Sequence, residues 1–215
     1  NADSLSIYRT AIALHLPGDT LHVKGYMGHV VAREADIDLG TSTYQVRSFD
    51  WTDGQLSYDD HSQPATEGLD PNHISLSNIR LGVDSIYYGP LGTSLYVRET
   101  ALKEIQSGLE IRELTGGVKL DTAFSHIELP HLTLRTADSD IEAEVSTDFN
   151  VADSDNPGKL KARLNAQIGK QDIMRIANGL PQAFMRRYPN HPLNIKGSVN
   201  GNMQRLEFTG LDIQL

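Results

Sequence analysis

Along residues 160–168, Leu160, Ala162, Leu164, Ala166 and Ile168 take every second position, with Lys161, Arg163, Asn165 and Gln167 between them. That is the period of a β-strand with one oily and one wet face. The same period runs through Ile79, Leu81 and Val83; Leu95 and Val97; Leu109 and Ile111; Val118 and Leu120; and Ile127 and Leu129. It continues through Leu132 and Leu134; Ile141, Ala143 and Val145; Leu193, Ile195 and Val199; Leu206 and Phe208; and Leu211, Ile213 and Leu215. Gly, Asp, Asn and Pro punctuate these runs as strand boundaries. Between Leu129 and Leu132, across Pro130, the parity slips by one, which predicts a bend or bulge that re-aims the apolar face. Weaker strands fall around residues 21–23, 37–39, 44–46 and 56–58.

One stretch departs from period two. Ile173, Ile176, Ala177 and Leu180 have helical spacing behind Asp172, an expected N-cap, and Pro181 opens a second helical turn with Phe184, Met185 and Tyr188. The reading is an all-β chain with a short helical insertion over 171–188, either closing one end of a β core or serving as a docking element. The polar segment 59–72, with Pro64, Gly68 and Pro71, reads as a flexible loop or boundary between an N-terminal portion, 3–58, and a main sheet, 73–215. An internal repeat joins the two portions. Leu21-His22-Val23-Lys24-Gly25 parallels Leu193-Asn194-Ile195-Lys196-Gly197, and each is followed by an Ile-containing strand, Ile37-Asp38-Leu39 and Leu211-Asp212-Ile213. Repetition of a strand, Gly, strand unit suggests a quasi-one-dimensional β array in which each unit packs on its neighbours. The chain opens on Asn1-Ala2 and stops within an alternating run at Leu215, which reads as a piece of a longer protein with Asn1 and Ala2 as a tag remnant.

Composition narrows the function. With 19 Lys plus Arg against 28 Asp plus Glu among 215 residues, the net charge is −9, so nucleic acid, which needs a concentrated basic surface, is not expected as a partner. There is no Cys, hence no disulfide, thiolate nucleophile or Cys-type zinc site. No run approaches the roughly 18 consecutive apolar residues of a membrane-spanning helix. His126 and His131 flank Ile127-Glu128-Leu129-Pro130, a spacing that puts them on opposite faces of a strand rather than on one helical face around a metal. The run Asp153-Ser154-Asp155-Asn156-Pro157-Gly158 reads as a tight turn, because Pro157 and Leu164 stand where a calcium loop needs ligands. Asp138, Asp140, Glu142 and Glu144 alternate along one strand as a solvated outer face, and no Gly-x-Ser-x-Gly elbow occurs. No enzyme activity, cofactor or metal is expected.

The unit from Leu193 to Met203 followed by Leu206-Glu207-Phe208-Thr209-Gly210-Leu211, the lead-in Arg187-Tyr188-Pro189 to Pro192-Leu193, and Phe49-Asp50-Trp51-Thr52-Asp53-Gly54-Gln55-Leu56-Ser57-Tyr58 resemble the TamB family. This is the inner-membrane-anchored subunit of the translocation and assembly module, within the AsmA-like superfamily. The resemblance covers most of the chain. It implies a periplasmic, elongated antiparallel β-sheet curled into an open, β-taco-like groove. It further implies that phospholipid acyl chains are carried or shielded between the inner and outer membranes, or that outer-membrane protein assembly is assisted. An outer-membrane barrel partner and the membrane anchor would belong to regions outside this segment. No catalytic motif comes with the resemblance.

The positions expected to line such a groove are Leu81, Val83, Leu95, Val97, Leu109, Ile111, Val118, Leu120, Ile127, Leu129, Leu132 and Leu134. Ile141, Val145, Leu160, Leu164, Ile168, Leu193, Ile195, Val199, Leu206, Phe208 and Ile213 complete the set. Two other readings stay open on the residues alone. One is a module that presents strand edges to nascent outer-membrane proteins. The other is a plain β-sandwich of an exported binding protein, in which the same apolar positions form a dry core and Trp51, the single Trp, anchors it.

Overall fold

In the computed structural model, which describes residues 2–15, 20–151, 153–176, 188 and 190–214, the chain forms one eleven-stranded sheet. The strands are β1 (Ala2–His15), β2 (Leu21–Asp38), β3 (Thr43–Asp60), β4 (His73–Gly89), β5 (Gly92–Glu104) and β6 (Glu110–Leu120). They continue with β7 (His126–Thr136), β8 (Asp140–Asp148), β9 (Leu160–Ile168), β10 (Leu193–Asn202) and β11 (Arg205–Gln214), with helix α1 (Lys170–Ile176) between β9 and β10. Spatial order equals chain order, every neighbouring pair is antiparallel, and the sheet remains open, with β1 and β11 at its edges. It is the curled, open all-β sheet expected from the sequence.

The accessible area is 13595 Å² for a 23.7 kDa chain, whereas a compact monomer of that mass exposes about 9,800 Å². Extensive contacts among the described elements join only strands adjacent in the chain, so no second sheet covers either face. Among described apolar residues only Val30, Val31, Ile79, Val83, Leu109, Ala166 and Tyr188 are buried.

The strands curl because they bulge. Inside strands, Arg9, Glu34, Asp53, Asn78, Ser85, His131 and Gly210 have positive φ, between 45° and 61°, and each is exposed. Each is the residue just before the inward positions change parity. The steps run from Ile7 to Thr10, Ala32 to Ala35, Trp51 to Gly54, Leu76 to Ile79, Val83 to Ile86, Leu129 to Leu132 and Phe208 to Leu211. A left-handed residue in a strand re-aims the side chains beyond it and bends the strand. The parity slip expected across Pro130 is therefore real and is centred on His131, with a register shift between Leu129 and Leu132.

These sites align across strands. Arg9 and Asp53 both lie opposite Gly28, while Glu34, Arg47 and Ser85 share a second line. The longest strands, β2 and β3 at 18 residues and β4 at 17, change parity twice; the nine-residue β8 and β9 alternate without interruption. At about 3.3 Å per residue the strand lengths fall from roughly 60 Å for β2 and β3 to about 30 Å for β8 and β9, and the parity changes concentrate in the long ones.

Several expectations need correction. The short strands at 21–23 and 37–39 are parts of β2, with Leu39 in the following turn, and those at 44–46 and 56–58 are parts of β3. Internal bulges had broken their alternation into fragments. Strand β1 precedes the first expected strand, and Ala2, read as a tag remnant, pairs with Ala35. Asp172 does not cap α1. The helix starts at Lys170, the Gly169 carbonyl accepts from the Ile173 amide at 3.3 Å, and the buried Asp172 carboxylate accepts the hydroxyls of Thr136 and of Ser139 (2.6 Å). It turned to the β7–β8 connection because two hydroxyls and Arg175 offer it more than the helix amides do. Residues 177–187, including the expected second helical turn, lie outside the described residues; Tyr188 is buried and non-helical.

Candidate functional site, an uncovered apolar face

In an antiparallel ladder directly opposed residues share a face, so the register shows which candidates come together. One row runs Leu134, Ile141, Ala166, Ile195 and Ile213 across β7 to β11; a second runs Leu129, Val145, Ala162, Val199 and Phe208. A third starts at Ile37 and passes through Tyr44, Tyr88, Thr93, Leu120, Ile127, Thr147, Leu160 and Gly201 to Leu206. Leu132 and Leu164 both oppose Ala143, Ile168 opposes Leu193, Val83 opposes Val97, and Leu95 opposes Val118. On the N-terminal side, Ile7, Val30, Trp51, Leu81 and Thr100 continue the same face.

All the sequence-named groove positions except Leu109 lie within strands. Leu109 is buried in the turn before β6, where its carbonyl accepts from the Glu104 amide at 2.8 Å. It closes a turn instead of lining the face. Ile111 pairs with Leu102 and extends the face toward the same end. Phe208 and Ile213 are 59% and 55% exposed because β11 is an edge strand. The remaining positions are half-buried apart from the buried Val83, since side chains in a single sheet are covered by neighbours in their own row.

Sequence reasoning missed the N-terminal third of this face. The signal that could have found it is the spacing of two apolar residues three apart with an exposed polar residue just before the second. Trp51 illustrates the packing such a step allows. Its indole lies over Gly54, where an added Cβ would come within 2.5 Å of the ring, so only glycine fits beneath it. The Trp51 Nε1 and the hydroxyls of Thr93 and Thr100 are buried on this face without a hydrogen-bond partner, and an unpaired buried polar atom is uncommon enough to need an explanation.

The opposite face is held by charge. Arg33 reaches Asp50 (2.5 Å), Asp50 is shared with Arg98, and Arg98 reaches Asp84 (2.7 Å), a chain across β2 to β5. Gly82 permits it, because a Cβ there would stand 2.6 Å from the Arg98 guanidinium. Arg135 pairs with Glu113 (2.8 Å) and Asp140 (3.2 Å), and Glu144 faces His131 and Arg163. The acids at Asp140, Glu142 and Glu144 are thus the outer face of β8, as their alternation predicted, whereas Asp138, expected on the same strand, lies in the β7–β8 connection and pairs with Arg175 (3.1 Å). Exposed pairs of this kind contribute little stability each, but they keep one side of the ribbon wet.

Carboxylates also stitch the two rims. At the rim holding the 61–72 loop, buried Asp70 accepts from the amides of Thr66 (2.7 Å) and Asn72 (2.9 Å) and pairs with His73 (3.0 Å). The Thr66 amide foremost, outweighing burial, lowers its pKa from 3.8 to about 2. Burial opposes ionisation of Glu104, yet donors from Ser107, Gln106 and Ser75 prevail and hold its pKa below the ordinary value. At the other rim, Asp121 takes the hydroxyl and amide of Ser125 and the amide of His126, and Asp148 takes the Lys159 amide and the His126 ring. Asp153 accepts the amides of Asp155 and Asn156, the tight turn read from the sequence. The 61–72 segment is a loop within a continuous sheet, since β3 and β4 pair on either side of it.

The site is therefore a long apolar face, tapered, charged on its back, and bounded by two rims of ordered turns. No family model matches the chain, nor does any curated protein or solved structure.

Proposed function

We propose that this chain is a segment of a TamB-like periplasmic protein whose apolar β groove carries or shields lipid acyl chains between the inner and outer membranes, in support of outer-membrane biogenesis. The observation that carries the reading is the continuous apolar face of eleven strands, uncovered by any second layer among the described residues. A sheet with one oily face must cover it. Without a second sheet, a guest chain of the same chemistry can take that place.

Each methylene buried from water contributes about 0.8 kcal/mol, so a tail of about fourteen contributes on the order of 11 kcal/mol. That retains the tail against loss to water. Exchange with a bilayer interior, which is equally apolar, is near neutral, so passage along the face needs no chemical energy. Photo-crosslinkers placed in cells at Leu120, Leu164 and Ile195, with outward Arg163 as control, test the reading. Lipid adducts confined to the three inward positions are expected, and equal labelling of Arg163, or no lipid adducts at all, refutes it.

A second reading has its own observation. Edge strand β1 offers 14 residues with Leu5, Tyr8, Ile12 and Leu14 more than half exposed, a template for adding a strand from an unfolded outer-membrane protein. Peptide binding that survives polar substitution of Leu164 or Ile195 would favour it.

A further inference from the structure

Every hairpin turn at one rim of the sheet ends in an exposed large apolar residue. The β2–β3 turn carries Leu39 (77% exposed), β4–β5 Leu91 (88%), β6–β7 Phe124 (49%), β8–β9 Phe149 (56%) and β10–β11 Met203 (60%). The opposite rim exposes Ile105 (61%) in the β5–β6 turn and Met174 (49%) and Ile176 (51%) on α1, but its β3–β4 and β7–β8 connections present no exposed large apolar residue among the described residues, and buried Asp70, Glu104 and Asp172 hold its turns. We propose that the rim formed by Leu39, Leu91, Phe124, Phe149 and Met203 is a membrane-contacting lip that inserts into the headgroup and acyl boundary of a zwitterionic bilayer.

Three features of the rim select this occupant. The tips recur every second strand, about 9.5 Å apart, so five of them span up to about 38 Å along one edge. A folded protein partner would need a separate pocket for each knob at that pitch, whereas a lipid surface accepts them at any spacing. Immediately inside the tips stand Tyr44 and Tyr88, 39% and 46% exposed, with ring centroids 5.7 Å apart, and Phe124 joins Tyr88 at 6.3 Å. Aliphatic tips backed by amphipathic rings match the depth profile of an interface. Charge then chooses the lipid. The acids beside the tips, Asp38, Asp121, Asp148 and Asp153, have their oxygens turned onto amides of the turns, so the apolar residues lead. At this rim Asp38, Asp121, Asp148 and Asp153 outnumber Lys119, Lys159 and Arg205, the last paired with Glu207 (3.0 Å), so the balance of charge disfavours phosphatidylserine and phosphatidylglycerol.

This lip goes beyond the groove reading, and its five tips are not groove positions. The experiment is co-sedimentation of the protein with fluid phosphatidylcholine vesicles. Binding is expected that weakens when phosphatidylglycerol is added. Leu91→Asp combined with Phe149→Asp is expected to raise the lipid concentration for half-binding at least about tenfold, while Ile105→Asp on the opposite rim changes it less than about twofold. These positions are exposed, and an unchanged circular dichroism spectrum certifies the fold of each variant. Absence of vesicle binding by the unaltered protein, or equal binding by the double variant, overturns the proposal. So does a lip-dependent oligomer in sedimentation without vesicle binding, which would make the occupant a second copy. Vesicle binding without lipid adducts at Leu120, Leu164 and Ile195 leaves the lip standing and removes the groove.

Discussion

Leu164→Ala distinguishes an uncovered face from a sealed core. Leu164 is half-buried, opposite Ala143 on one side and Gly197 on the other, so its lateral neighbours are small and its outward side meets no second layer among the described residues. The substitution removes three carbons, worth about 2.4 kcal/mol if wholly sequestered at about 0.8 kcal/mol each. Partial exposure reduces this to about 1.5–2 kcal/mol, and no cavity is added, because water or a guest enters where the side chain was. In a sealed core the cavity raises the loss for this substitution to about 3–5 kcal/mol. Urea unfolding of delipidated protein, compared at unchanged slope, measures the difference. A loss of 1.5–2 kcal/mol is expected, growing when acyl chains are bound. A loss above about 3 kcal/mol in delipidated protein refutes the argument, because only a closed interior produces the cavity contribution.

Acid should loosen the 61–72 rim in a defined window. The folded pKa of Asp70 is depressed to about 2, so its contribution is complete above the unfolded value near 3.9 and is lost as pH falls toward about 2. Asp70→Asn should flatten the pH dependence of the thermal midpoint across that interval, and an unaltered acid limb would exclude Asp70 as its source. Asp172→Ala leaves the Thr136 and Ser139 hydroxyls and Arg175 (3.1 Å) without their shared acceptor and should destabilise by about 3 kcal/mol, read by chemical denaturation. Gly54→Ala places a Cβ 2.5 Å from the Trp51 ring and should cost about 1–3 kcal/mol together with a shift in Trp51 fluorescence. His131→Gly relieves a φ of 54° and should be neutral or stabilising by up to about 1 kcal/mol, whereas His131→Val should be destabilising; the two denaturation midpoints test the sign.

Strands β8 and β9 were legible from residue spacing because each is short and unbulged: their period survives intact from end to end. Strands β2, β3 and β4 were legible only in pieces. Asp53, Asn78 and Ser85 each shift the inward parity by one, and an unbroken period-two template reads such a shift as a strand end. The apolar rows of β7 to β11 could be named because β8 and β9 keep their period and the single parity changes at His131 and Gly210 leave readable runs on either side. Asp172 shows a second kind of failure. Its place before a helical spacing suggested a cap, but hydroxyls 33 and 36 residues away along the chain claim its carboxylate.

What the amino-acid order decided alone is chemical: an all-β chain, oily on one side and charged on the other, without thiols and with an acidic balance. These properties follow from local alternation and composition, which act over a few residues at a time. The tertiary structure decided that no second layer among the described residues covers the oily side, that the bulges align in creases across neighbouring strands, and that five turns bring apolar residues to one rim. Each of these depends on which strands become neighbours and in what register, and those relations are set by pairing across the sheet, beyond the reach of any local pattern.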